Sequence, residues 1–239
     1  MAFQSGKDTV VMFNQNNLST YMNSVDNSRT ADVAETTSFS ASAKTYLVGE
    51  NDATISLSGL YDATADAIVQ PLLSGGTQFD YVQGQTDLTT SARCTFGIAN
   101  ITNYGVSSPV GDVVATSLDL QATGGFFSGV VVIASAFTAT GVQGSVIDNG
   151  ALTSSGGGGF IIVSSVSGTS PTAVVKIQHS ADNSTYADLI TFTLANSATS
   201  EIKTIAKGTT INRYIRISNT IGGSSTPTVN ATVGFGRNN

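Results

Sequence analysis

The chain holds a single histidine, His179, and a single cysteine, Cys94. Any nucleophile–base pair built on an imidazole therefore rests on His179 alone. It ends an apolar alternating run and precedes turn-forming residues, in HSADNSTY, which favours a turn or edge role. Cys94 lies in an alternating run and reads as a small core residue. One cysteine closes no intrachain disulfide, which excludes a disulfide-stapled secreted scaffold. CxxC, HExxH and EF-hand spacings do not occur, so no metal site is expected. Neither a GxSxG elbow nor a Walker A loop occurs. The glycines at 156–159 are not followed by a helix carrying Lys and Ser/Thr, and they read as a Gly-rich hairpin. No enzyme activity and no cofactor are expected.

The remaining polar groups have structural readings. Asp62 and Asp66 stand four apart, a spacing that could pair carboxylates for glycoside hydrolysis but fits a helix cap and a solvated face better. Arg213 and Arg216, in NRYIRI, have an odd spacing that sends them to opposite faces of a strand. The run at 180–186, SADNSTY, loosely matches an Asp-box turn. Ser180 and Asp182 fit, Ser184 replaces the motif's glycine, and Thr185 and Tyr186 arrive one position early. An Asp/Asn/Ser turn explains the segment equally well, making Ser180, Asp182 and Tyr186 a candidate structural turn.

The elements that must carry these groups are mostly strands. Alternation is visible at 54–60, through Ile55 and Leu57, at 92–98 and at 114–120, while 130–134 is a continuous apolar run. Residues 9–13 form a short apolar run followed by a turn at 14–17. A helix is expected near 62–73, capped by Asp62, with Ala65, Ile68, Val69, Leu72 and Leu73 on one face. Pro71 should end or kink it near Gln70, and Gly75 and Gly76 should stop it. Residues 23–43 are polar and aperiodic and read as a long loop or arm. After a Gly/Ser-rich linker and hairpin at 139–159, strands recur at 160–166, 174–179, 189–194, 202–206, 213–218 and 229–235. The fold expected is all-β with one short helix: a β-sandwich over 1–138 with its flanking helix, then a small antiparallel β-sandwich, Ig-like or jelly-roll-like, over 160–239.

The composition suits a subunit packed against copies of itself, and equally an ordinary soluble β protein. Charged residues are 11% of 239, so the exposed faces must be largely Ser, Thr, Asn, Ala and Gly. Low charge lowers the cost of packing against copies of the chain. The acids are unevenly placed. Residues 1–138 carry twelve acids against four bases, a net of −8, and residues 139–239 carry four against six, a net of +2. The net charge of −6 argues against nucleic-acid affinity. The start, MAFQSGKDTVVMF, lacks the basic and apolar regions of a signal peptide, and no apolar run is long enough to span a membrane, which points to a cytosol-like compartment.

Several linked motifs carry a resemblance. They are LSxYxNSVDxSRxAD from Leu18, ETxxF and AKTY, DATxSLSGLYD leading into the helix, SSPVGDVV at 107–114, and the GGFFSGVVV strand. Together they resemble the tail tube (major tail) proteins of long, non-contractile-tailed bacteriophages, over most of residues 5–138. Phe39-Ser40 stands where that family has Phe-Gly. From Gly144, the segments DNGALTSSGG, VKIQHSADNSTYADLITF and NRYIRI resemble the extra C-terminal β-sandwich carried by some of its members.

The resemblance implies a tail-tube-type β-sandwich flanked by a helix. Six subunits would form a ring whose inner sheets line a channel, and rings would stack through an N-terminal segment and a long loop, here residues 23–43 and 44–52. Arg29, Asp32, Glu35, Lys44 and Tyr46 are the candidate ring-stacking residues. The implied partners are further copies, other phage tail proteins, and DNA that passes without specific binding. The C-terminal sandwich would project outward. A weak glycan-binding role for it, suggested by the polar turn at 180–186 and the RYIRI strand, is compatible with that arrangement. The implied location is the virion tail, assembled in the host cytoplasm. Two other readings fit the composition: a capsid decoration protein, and a carbohydrate-binding β-sandwich module.

Overall fold

The computed structural model describes residues 5–39, 42–73 and 78–238. Among the described residues it is nearly all-β, with one α-helix and a short 3-10 turn at Gly6–Asp8. The strands are β1 (Val10–Phe13), β2 (Asn16–Asn17), β3 (Met22–Glu35) and β4 (Tyr46–Leu60), followed by α1 (Ala63–Leu73). Then come β5 (Phe79–Gly84), β6 (Arg93–Ser107), β7 (Ala115–Phe137), β8 (Gly141–Asp148), β9 (Gly157–Ser180), β10 (Ala187–Thr191), β11 (Thr199–Ile205) and β12 (Tyr214–Arg237). All the registered strand pairs are antiparallel.

Two compact units form. One comprises Met1–Ser19, Phe79–Ile98 and Phe127–Asn239, and the other Thr20–Gln78 and Ala99–Phe126. This division differs from a cut after residue 138. Both units draw on β6 and β7, because non-local strand pairing, not sequence proximity, decides which residues pack together. The interval 139–159, expected as a linker and hairpin, contains β8, which pairs with β12 through Ile147 opposite Ile215.

The larger unit is organised by β9 and β12. They pair from Ser180 opposite Tyr214 to Gly157 opposite Arg237, with register shifts near Gly222–Thr228. The four short strands expected in 160–179 and 213–235 are thus two long ones. Their two halves bury a common core: Ile161, Val163, Val175, Ile177, Ile215, Ile217, Val229 and Val233, with Phe137 and Phe192. Each strand therefore supplies both layers of a sandwich, and the register shifts mark where it bends. β11 pairs with the first half of β9 and β10 with the second.

The continuous apolar run at 160–163 serves two cores at once. Ile161 and Val163 face the first, while Phe160 and Ile162 face a second cluster with Val82, Cys94, Phe96, Phe127, Val131 and Ile202. The Phe96 ring sits 5.0 Å from that of Phe160 and 5.5 Å from that of Phe127. The glycines at 157–159 are not a hairpin. They begin β9, and a Cβ at Gly159 would lie 2.4 Å from the Ile177 Cδ1. The run is glycine because neighbouring side chains occupy its faces.

In the smaller unit β4 lies between β3 and β7. Ala53, Ile55 and Leu57 of β4 are buried, facing the side of Leu118 and Leu120 of β7. Ala65 and Val69 of α1 are buried as well. Asp62 caps the helix through its Oδ1, which accepts from the Thr64 amide at 2.7 Å. The helix continues through Pro71 to Leu73, where sequence alone ends it near Gln70. Pro71 lies inside the described helix, where its missing N–H removes one backbone donor without ending it. The expected stop at Gly75 and Gly76 lies outside the described residues.

Candidate assembly surface

Residues 23–43 were expected to be a loop, but residues 22–35 are strand β3. Its register with β4 runs from Met22 opposite Gly59 to Glu35 opposite Tyr46. Every residue of β3 is exposed or half-buried. With neither face buried, no alternation of apolar residues was needed, and the strand was invisible to periodicity. What defines it is the backbone ladder to β4.

The five candidate residues spread along this hairpin. Arg29, opposite buried Ala53, places its guanidinium carbon 4.8 Å from the centroid of the Phe126 ring. Burial lowers its pKa. Asp32 is exposed next to the register shift between Ala31 and Val33. Lys44 Nζ donates to Glu35 Oε2 at 3.0 Å, across the end of the hairpin. Thr36 and Thr45 reinforce that end, with the Thr36 amide donating to the Thr45 carbonyl at 2.8 Å. Tyr46 lies opposite Glu35 and is 54% exposed. It has apolar company: Val33 is 60% and Leu47 64% exposed, and Phe39 is fully exposed. Arg29 is exposed and packs its guanidinium over Phe126, while at the hairpin end Val33, Leu47 and Phe39, which the sequence had not singled out, join Tyr46 as exposed apolar side chains.

The hairpin's other face is polar. Asp26 lies opposite Ser56, which lies opposite Asp119. Ser28, Thr54 and Gln121 form the next row, and Thr30 and Asp52 follow. Asp119 accepts from Ser56 Oγ at 2.8 Å and from Asn103 Nδ2 at 3.0 Å, and these bonds lower its pKa. Gln121 Nε2 donates to Asp52 Oδ1. No Lys or Arg stands in these three rows. The alternation TISLSGL made this face partly legible; the joining of Asp26, Asp52 and Asp119 on it depends on register and was not.

The candidate turn at 180–186 is an ordinary Asp turn. Asp182 Oδ1 accepts from the Ser184 and Thr185 amides at 2.9 Å and from Ser180 Oγ at 2.8 Å. These bonds hold its carboxyl well below the usual range. The Tyr186 ring is covered on one side by Arg216, whose guanidinium carbon is 3.7 Å from the centroid. Arg216 Nε also donates to Gln178 Oε1 at 2.9 Å. Arg213 is engaged separately, in a two-pronged pair with Asp148 at 2.6 and 2.7 Å. His179 lies in β9, opposite Ala187 of β10 and Ile215 of β12, and so is not at an edge. Its Nδ1 accepts from the Asn212 amide at 3.2 Å, and burial lowers its pKa. Cys94 is buried and its thiol is pushed up to about 12 by desolvation, which suppresses thiolate chemistry. Among the described residues no three His, Cys, Asp or Glu gather as metal ligands, and no helix is long and apolar enough to cross a membrane.

No protein-family model matches the chain, and a search of curated proteins finds no match. A search of solved structures finds distant similarities. The C6-symmetric tail of an empty gene transfer agent particle is 17% identical, over 52% of this chain and 97% of that chain, with a TM-score of 0.43. The SPP1 tail tube is 16% identical, over 52% of this chain and 77% of that one, with a TM-score of 0.42. The SPP1 Dit protein, described as a hub of the adsorption apparatus in phages infecting Gram-positive hosts, is 11% identical. It covers 95% of this chain and 98% of its own, with a TM-score of 0.39. Similarities this distant leave function to be argued from this chain's own residues.

Proposed function

We propose that the protein is a structural subunit of a phage tail tube, which self-assembles into stacked hexameric rings and has no catalytic role. The observation that carries this reading is the β3–β4 hairpin. Its strands span 14 and 15 residues, and its end exposes Val33, Phe39, Tyr46 and Leu47. A long apolar-ended ribbon in water is marginal and prone to association. A second copy seated on that end removes the apolar surface from water, and ring closure pairs strand edges that a free sandwich leaves open. The motifs shared with tail tube proteins run through this same hairpin, and the low charge of the chain suits burial between copies.

The polar face has a role in the same reading. Asp26, Asp52 and Asp119 share it with Ser and Thr and with no base. DNA carries one negative charge per about 1.7 Å of its axis. A channel wall of hydroxyls and carboxylates gives passing DNA no cation to bind and weakly repels it. On this reading the face lines the conduit for DNA ejection, the partners are further copies and other phage tail proteins, and the location is the virion. Sedimentation velocity of the purified chain tests the hairpin's part. The wild type forms ring-sized and larger species, and Leu47→Glu shifts the distribution to smaller ones while circular dichroism stays unchanged. An unchanged distribution in a folded Leu47→Glu protein removes the hairpin from assembly.

A further inference from the structure

The larger unit holds a cavity of about 260 Å³ where β7 and β12 approach the residues after β8. Arg93 and Arg237 line it, with Asn149, Phe235 and the backbones of Gly129 and Gly236. The two glycines let the strands come close: a Cβ on Gly129 would lie 2.3 Å from the Phe235 carbonyl oxygen, and one on Gly236 2.5 Å from that of Ser128. None of the lining residues is acidic.

Arg93 and Arg237 put two permanently cationic side chains on one cavity with no acid in its lining, and an anion held there lowers their mutual repulsion. The four ion pairs among the described residues include neither Arg93 nor Arg237. The acid adjacent in sequence to the lining, Asp148, is committed to Arg213 through two bonds. Arg237 is held in place, with Nη2 donating to the Asn149 carbonyl at 2.6 Å and Nη1 to that of Ala151. A fixed guanidinium binds an anion without first losing side-chain freedom.

We infer that this cavity is an oxyanion site, which takes a phosphate or carboxylate group between Arg93 and Arg237. The guanidinium fork matches both groups. The site needs no second copy of the chain, so it stands or falls independently of the tube reading.

The test titrates full-length protein with inorganic phosphate and, separately, with succinate, holding ionic strength constant with chloride. Amide NMR signals of Gly129 and Gly236 report occupancy. A saturable shift with either anion is expected, and the stronger binder identifies the preferred group. Arg93→Gln should weaken binding about tenfold or more, the effect of losing one charge-assisted hydrogen bond. Arg216→Gln, whose arginine is engaged by Tyr186 and Gln178, should leave affinity unchanged. No saturable response to either anion, or equal affinity in Arg93→Gln, overturns the assignment.

Discussion

Asp148 shows what one pair of side chains contributes. Arg213 and the Gly150 amide lower its pKa from 3.8 to about 2. A carboxyl lowered on folding stabilises the native state above its unfolded value, and that contribution fades as pH falls through the folded one. The stability difference between wild type and Asp148→Asn should therefore be full above about pH 4 and shrink towards pH 2. Urea melts across this range measure it, and a difference independent of pH would refute the pairing. Cys94 makes the opposite point. Its thiol is buried and raised, so a maleimide should leave the native protein unlabelled at pH 8 and label it fully in denaturant. Rapid native labelling would contradict the core assignment. Both residue types were visible in sequence. The core role of Cys94 followed from alternation alone, whereas the Arg213–Asp148 pair joins positions far apart in the chain.

At the scale of elements, legibility tracked burial. β4 alternates in sequence because one face is buried, as Ile55 and Leu57 demonstrate; the first part of β6 is buried on both faces and still alternates, because small Thr95, Gly97 and Ala99 fill the face opposite Cys94 and Phe96. β3 buries neither face, and its polar sequence gave no period to read. The glycines at 157–159 misled for a related reason. Glycine signals a turn when judged locally, but here it relieves packing against Phe127 and Ile177. The length of β9 and β12 was hidden by their central register shifts, where Gly, Ser and Pro interrupt the apolar pattern. The hairpin claim is tested at this scale too. Val33→Glu should also reduce assembly, because Val33 is exposed at the same hairpin end, on the ribbon face opposite to that of Leu47. Phe96→Ala, by contrast, should destabilise the fold by about 3–5 kcal/mol, read by denaturant melts. A Val33→Glu chain that assembles normally would separate the apolar end from association.

For the whole molecule, the charge asymmetry is sharper by structural unit than by sequence half. The smaller unit carries nine acids against two bases, a net of −7; the larger carries seven against eight, a net of +1. The sequence split placed the contrast at residue 138, and the fold moves it to the unit that contains the polar face of β3, β4 and β7. In the tube reading this unit meets DNA. Asp26→Lys should therefore make assembled protein retain DNA in a filter-binding assay near physiological salt, while Asp8→Lys, in the larger unit, should not. Equal behaviour of the two variants would detach the acidic face from DNA passage. The central claim is self-assembly, and electron micrographs of the purified full-length chain over a range of concentrations test it most directly. Tubes built from regularly stacked rings with an open channel are predicted; isolated monomers at every concentration and salt would contradict it.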